Sequence, residues 1–556
     1  MTGTARDLVR DAVAAGVLAA SDALGWGDAA RAAAVEIERP ADASHGDYAS
    51  NIAMRLAKPL RKPPLEIAKA VALRVPARDG IALVEAAAPG FINVRLDRTW
   101  LARQVGVIAD RGPEFGRNDA LKGQRLQVEF VSANPTGPVT VANARGGPIG
   151  DVLANVLAFS GATVEREYYI NDAGTQLDVF GRSVATRYLE LGGKTGLVIP
   201  DDGYPAEYVI DLARAIRQKA GAAFDDKTPE ELAPQFARTA LDTVIEWHKA
   251  TMHKFRISFD SFYRETSLMD SGYFAKTIEA LRGSGHIEDR DGAVWLKSRE
   301  LGEDIDSVLI RSTGMPTYFG VDVAYHREAL VERGFDKKID IWGANTHGHA
   351  RRMKTAMTAL GLDGRWEVVL YQYVKFLHEG VLVNMARRRG QYVLLDDVID
   401  TVGVDAARWF FLMASADRTL DFDLELAVKQ SSENRAYYVQ YAHARIASIL
   451  RTASERSLSS EGADVSLLVS PGEIQLIKLL LRFPDVVEDA HERKAPHLLT
   501  VYALELAGMF HTFYRDHRVV GDDAALSRAR MRLVESTQIT LRQILGLLGI
   551  SAPDRM

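Results

Sequence analysis

The chain has 556 residues, 47% hydrophobic and 26% charged, with a net charge of −6 and no cysteine. That length accommodates roughly three or four domains of ~150 residues each in a globular, water-soluble chain. The absent cysteines exclude disulfides and thiolate metal sites, and the acidic balance excludes a protein basic all over while leaving room for a local basic face.

The N-terminus, MTGTARDLVRDAVAAG, has an amphipathic helical pattern and no cleavage signal, so it reads as structure and not as a targeting peptide. Residues 1–110 read as a small α/β unit. Turn residues in ERPADASHGDYASNIAMRLAKPLRKPP lead into a helix that is expected to end at Pro59, with a second stop at Pro63–Pro64. A strand, GFINVRL, follows from Gly90 to Leu96. Arg55, Lys58, Arg61 and Lys62 form a basic cluster that suits either a solvated helix end or a nucleic-acid contact.

Between 111 and 404 strand patterns alternate with helical ones. LQVEFV, TVEREYYI, DSVLIRS, PTYFGVD, KIDIWGA and WEVVLYQ are the expected strands, with helices near Ile149–Phe159 and His347–Ala359. Such alternation implies a mostly parallel, Rossmann-like sheet wrapped by helices, with ligands beyond the carboxyl ends of its strands. From 405 to 556 the strand signals fade into helical periodicity, as in VDAARWFFLM and NRAYYVQYAHARIASILRTA, and an all-α bundle is expected. No run of 18 apolar residues occurs, so no membrane span is read, and a cytoplasmic location is expected.

VEFVSANPTGPVTVANARGG, Val128 to Gly147, reads as a strand, a Pro/Gly-rich turn and a helix start near Thr140. A helix start offers unpaired N–H groups and a positive dipole end to a phosphate. Yet no Lys, Arg or His occurs from Val131 to Ala144, and Arg145 is the first cation.

Five segments resemble the bacterial, class I arginyl-tRNA synthetases, in that family's order: HGDYASNIAMRLAK, VEFVSANPTGP, REYYINDAGTQ, EGVLVNMARRRGQYVLLDDVID with the helix behind it, and ENRAYYVQYAHARI with the C-terminal segment. The resemblance covers nearly the whole length. It implies an arginine–tRNA ligase that forms arginyl-adenylate from L-arginine and ATP with Mg2+ and passes arginine to tRNA(Arg). It also implies an N-terminal domain touching the tRNA elbow, an anticodon-binding bundle, and a monomer. No protein metal cage is evident, since magnesium comes with ATP and needs few protein ligands.

The chain departs from the family where ATP binds. Thr140, Val141, Ala142 and Asn143 stand where the family has His-x-Gly-His, and Asn384, Met385, Ala386 and Arg387 stand where it has Lys-Met-Ser-Lys. GANTHGH, Gly343 to His349, replaces a family-like GADHHGY. The resemblance places catalysis on Thr140, Asn143, Arg387 and Arg388, and nucleotide contacts on Pro138, Val141, Ala142, His347, Met385 and Ala386. Asn143 also suits a helix cap with Thr140 packed nearby, and the arginines suit a solvated basic loop. The guanidinium pocket is kept: Glu129, Ser132 and Asn134 match the first group, Tyr318 and Asp322 match a helical Tyr-x-x-x-Asp pair, and Thr346 lies beside them. The tRNA contacts carried over are Asp47, Tyr48 and Asn51 in the first unit, and Arg435, Tyr438, Tyr441, Arg445, Tyr514 and Arg518 in the last. Aromatics interleaved with cations can stack on unpaired bases, although helical spacing also suits some of these tyrosines to a core. The altered nucleotide lining leaves open a paralogue that binds arginine or tRNA with little aminoacylation.

Overall fold

A computed structural model describes residues 3–378, 380–382 and 393–556. Its centre is a five-stranded sheet, every pair parallel: β1 (Arg125–Phe130), β2 (Thr163–Ile170), β3 (Ser261–Arg264), β4 (Lys337–Gly343) and β5 (Trp366–Tyr371), in the order 5-4-1-2-3. The chain runs outward from β1 to β3 and then returns to the other side of β1. The crevice between β1 and β4 is therefore the topological switch point, where such sheets bind ligands. Phe130 and Val128 are wholly buried, as a parallel strand covered on both faces requires. The helix after β1, Gly146–Phe159, lies so close that a Cβ on Gly150 would meet the Phe130 ring at 2.3 Å.

Two expected strands differ. DSVLIRS supplies Ser307–Ile310, but this strand joins a separate antiparallel sheet with Ile287–Arg290 and Ala293–Leu296, whose hairpin turns through Asp291 and Gly292, both at positive φ. PTYFGVD is not a strand but the start of the helix Tyr318–Arg327. Thr317 caps it by accepting from the Gly320 N–H at 3.0 Å while donating to the Val308 carbonyl at 2.7 Å. Gly320 allows this docking, since a Cβ there would lie 2.5 Å from the Leu309 carbonyl oxygen. The short strand Ser261–Arg264 carried no signal strong enough to be expected. Between β2 and β3 three helices, Thr175–Leu191, Glu207–Ala220 and Pro229–Lys254, pack a core of their own around Phe180, Tyr188 and Phe236.

The N-terminal unit folds Tyr48–Ser50, Ile81–Ala87 and Phe91–Leu96 into an antiparallel sheet under helices. Its helix Ile52–Leu60 runs one residue past Pro59, and Pro64 opens the next helix instead of only ending the last. The helices Arg435–Glu455, Pro471–Leu480, Phe483–Glu492, His497–Asp516 and Ala524–Leu547 form the C-terminal bundle. It shares one hydrophobic core with the sheet and the N-terminal unit. Among the described residues no helix is long and apolar enough to cross a membrane.

Arg408 ties the bundle's end to the sheet domain. It is wholly buried, with Nε donating to the Leu548 carbonyl at 2.8 Å, one guanidinium arm to Phe255 at 3.0 Å and the other to Asp151. Removing Arg408 strips the buried Asp151 of its hydrogen-bonded partner and leaves it only Arg166, at 3.6 Å. Arg408→Met should lower the unfolding free energy by about 3 kcal/mol, read from the urea midpoint.

Candidate active site

At the switch point Glu129 on β1 lies opposite Asp340 on β4, two carboxylates side by side and both buried. They are kept apart electrically by what surrounds them. Lys338, itself wholly buried, places its ammonium 3.1 Å from Asp340 Oδ1 and donates to Gln127 Oε1 at 2.9 Å and the Tyr325 hydroxyl at 3.0 Å. His326 Nε2 and the Trp366 indole N–H each reach Asp340 Oδ2 at 2.6 Å. Against burial, Lys338 and His326 hold Asp340 down to about 2. Glu129 is pushed up to about 8, by burial first and then by the charge of Asp340. The Ser132 hydroxyl donates to one Glu129 oxygen and the Trp342 indole N–H to the other, at 3.1 Å.

Above this pair sits the helix carrying Tyr318 and Asp322. His326 Nδ1 donates to the Asp322 carbonyl at 2.7 Å, so one imidazole links that helix to β4. The buried Asp322 carboxylate receives His349 Nε2 at 2.6 Å. Tyr318 is exposed over the pocket, with its ring 5.4 Å from that of His349. Its hydroxyl pKa is raised first by the Asp322 charge and then by burial, with Glu129, Glu265 and Asp340 adding to it. Four carboxylates thus bear on one phenol, a field suited to a planar cation such as guanidinium. Asn134 lies exposed on the turn after β1, with no hydrogen-bond partner among the described residues. Thr346 uses its hydroxyl inside its own turn, donating to the Gly343 carbonyl at 2.8 Å.

The turn after β1 runs through Val131 and Ser132, at φ 70° and 38°. Left-handed backbone at such residues costs on the order of 1–3 kcal/mol each and persists only where neighbours enforce it. Here the Ala133 N–H donates to the Tyr168 hydroxyl at 3.0 Å, and the Tyr169 N–H to Ser132 Oγ at 3.1 Å. From behind, His248 Nε2 donates to the Gly137 carbonyl at 2.7 Å and the Tyr208 hydroxyl to Thr136 at 2.8 Å. Burial lowers the His248 pKa, against the opposing pull of the Gly137 hydrogen bond.

The helix Val141–Ala144 starts at Thr140, whose hydroxyl donates to Asn143 Oδ1 at 3.4 Å instead of to the backbone. Neither side chain caps the helix. Val141 and Pro138 are half-buried and Ala142 is exposed. Across the crevice the helix His347–Ala359 also starts without a side-chain cap, and His347 is exposed there. Two helix starts therefore converge where β1 and β4 end. Arg145 offers a phosphate nothing: it is wholly buried and donates to the carbonyls of Gln372, Ala414, Ser415 and Arg418 at 2.6–3.4 Å. Met385, Ala386, Arg387 and Arg388 lie outside the described residues.

On the bundle, four of the carried-over residues come together. Arg445 stacks its guanidinium 4.5 Å over the Tyr441 ring and 5.1 Å over that of Tyr514, and Tyr438 packs 4.8 Å from His511. Tyr441 and Tyr514 are exposed, so this is a surface platform and not core, whereas Ile446 on the same helix is buried. Arg435 and Arg518 are exposed at helix ends, Arg518 bonding the Val520 carbonyl. In the first unit Tyr48 is withdrawn from the surface: it is 1% exposed, and its hydroxyl lies between Arg39 and Asp485 of the bundle. Asp47 pairs with Lys478 of the bundle, and Asn51 is half-buried. The basic cluster is exposed, with Arg55 on Glu36 and Lys62 on Glu66.

A switch-point crevice joined to a helical bundle bearing an aromatic–cation platform defines a class I aminoacyl-tRNA synthetase. Family models agree along the chain: the arginyl tRNA synthetase N-terminal domain over residues 5–96, the class I (R) tRNA synthetase catalytic domain over 113–423, and the DALR anticodon binding domain over 439–556. An arginine–tRNA ligase of Carboxydothermus hydrogenoformans is 45% identical over 99% of this chain and 98% of its own. That of Moorella thermoacetica is 44% identical over 94% and 93%. The Thermus thermophilus arginyl-tRNA synthetase structure superposes with a TM-score of 0.80 at 22% identity, covering 99% of this chain and all of that one. The chain belongs to the arginyl-tRNA synthetase family.

Sequence reasoning missed Trp342, Asp340 and His326, which line or support the pocket, and His248, which holds the turn; His349 it met only as a departure from the family in GANTHGH, with no role assigned. The alternation of KIDIWGA places Asp340 and Trp342 on one face of β4, the one signal that was available. Two measurements test these assignments. Binding a guanidinium requires ionised Glu129, whose proton leaves on binding, so L-arginine should bind roughly tenfold more tightly at pH 8.5 than at pH 7 by calorimetry, a dependence that Glu129→Gln removes. Arg445→Ala, which unstacks Tyr441 and Tyr514, should lower kcat/KM for tRNA by about 5- to 100-fold without changing arginine KM.

Proposed function

We propose that this chain activates L-arginine with ATP and Mg2+ and transfers it to tRNA(Arg), working as a cytoplasmic monomer built of units 1–110, 111–404 and 405–556. The observation that carries this reading is the convergence of Glu129, Tyr318 and Asp322 beside two uncapped helix starts at one switch point. The guanidinium is held by Asp322, Tyr318 and Glu129, with Ser132 fixing Glu129 and Asn134 and Thr346 lining the rim. The arginine carboxylate then faces the seat made by Pro138, Val141, Ala142 and His347. It attacks the α-phosphorus of ATP and expels pyrophosphate, and a hydroxyl of the terminal adenosine of tRNA then attacks the arginyl carbonyl and displaces AMP. Thr140 and Asn143 act as neutral donors to the α-phosphate, and the motif assigns Arg387, Arg388, Met385 and Ala386 to the rest of the triphosphate. Arginine grips phosphate as a fork where lysine acts as a point charge. On tRNA, Tyr438, Tyr441, Arg445 and Tyr514 take the anticodon, Arg435 and Arg518 flank it, and Asp47 and Asn51 lie toward the elbow. Tyr48 acts indirectly, by docking the N-terminal unit on the bundle. The binder reading is not favoured, because 44–45% identity to ligases extends over nearly the whole chain.

Arginine-dependent ATP–pyrophosphate exchange, with and without tRNA, tests the proposal: exchange is expected with tRNA present, and tRNA binding without exchange would make the chain a binder. Each missing preorganised donor lowers a rate by about 10²–10³. Thr140→His with Ala142→Gly and Asn143→His should therefore raise exchange, and an unchanged rate would mean that the seat works through other donors.

A further inference from the structure

Of the four oxygens of Glu129 and Asp322, one alone has no hydrogen-bond partner among the described residues. Glu129 has a partner on each oxygen, Ser132 and Trp342. Asp322 has one partner, His349 Nε2 at 2.6 Å on Oδ2, and Oδ1 has none among the described residues. His349 is itself gripped on several sides. Its ring lies 5.4 Å from Tyr318 and 5.5 Å from Trp342, and it meets Phe319 edge-on at 6.1 Å. Because Trp342 also caps Glu129, the two rings form one block that spans both carboxylates.

We propose that His349 is a positioning residue of this pocket: its N–H turns the Asp322 carboxylate so that a single oxygen faces the substrate cation, and its ring keeps the Trp342 indole on Glu129. The inference rests on the arginine reading above and adds the residue that sets how tightly the cation is held. His349 stands in the first turn of the helix His347–Ala359, but its side chain is turned to Asp322, Tyr318 and Trp342, so its effect is expected on arginine binding and not on ATP. A carboxylate free to rotate must be ordered when the cation arrives, and a hydrogen bond to a charged group contributes enough to change affinity by about 10- to 100-fold.

The test is calorimetric binding of L-arginine to the full chain, with exchange kinetics beside it. His349→Ala should weaken arginine binding by about 10- to 100-fold and raise arginine KM in parallel, leaving ATP KM and kcat unchanged. His349→Gln, which keeps an N–H donor, should restore most of the affinity. Equal affinity in His349→Ala and the wild type would overturn the proposal while leaving the arginine reading intact, as would a loss that glutamine does not rescue or one that falls on ATP KM. A wild-type chain that binds no arginine would overturn both.

Discussion

A lysine with no access to water sits beneath the ligand crevice, and the site is arranged around it. Lys338 lies between Asp340, Gln127 and Tyr325, and together with His326 it keeps Asp340 ionised in a place where an isolated carboxylate would not be. The charge on Asp340 then pushes the neighbouring Glu129 toward its neutral form. The parallel sheet creates this problem by placing the two residues in register on adjacent strands. The pocket gains from it a carboxyl group whose charge depends on whether a cation is present.

The same network orders the pocket's second wall. His326 reaches from Asp340 to the Asp322 backbone, so the helix bearing Tyr318 and Asp322 is tied to the strand bearing Trp342. Thr317 and Gly320 dock that helix on Leu309, and His349 completes the contact from the next helix. The nucleotide side follows a different economy. It keeps a strained turn, enforced by Tyr168, Tyr169, Tyr208 and His248, and two helix starts, and the described residues assigned to its lining include no lysine or arginine. The proposed phosphate seat thus rests on backbone geometry more than on charged side chains.

Much of this was legible in the sequence. Apolar runs marked four of the five parallel strands, and the Pro/Gly turn after β1 announced the crevice. Glu129, Tyr318 and Asp322 were found by motif and do converge on one pocket. The failures have physical causes. PTYFGVD has strand composition, but its fate was decided by the Thr317 cap and by the close approach that Gly320 permits. Arg145 stood out as the first cation after the turn, but the four carbonyls that absorb its hydrogen bonds are not visible in sequence. Trp342 bonds a residue 213 positions away and His349 one 27 positions away, distances over which no local pattern speaks. Tyr48 shared a motif with surface residues and yet is buried by a domain contact that only the assembled chain makes.

The central claim is that a guanidinium enters between Asp322 and Glu129 with Tyr318 above it. The most direct measurement is a crystal structure of the full chain soaked with L-arginine. The account predicts a guanidinium nitrogen within hydrogen-bonding distance of Asp322 Oδ1, the opposite arm toward Glu129, and His349 still on Oδ2. Arginine seated elsewhere, or another amino acid filling that space under the same conditions, would contradict it.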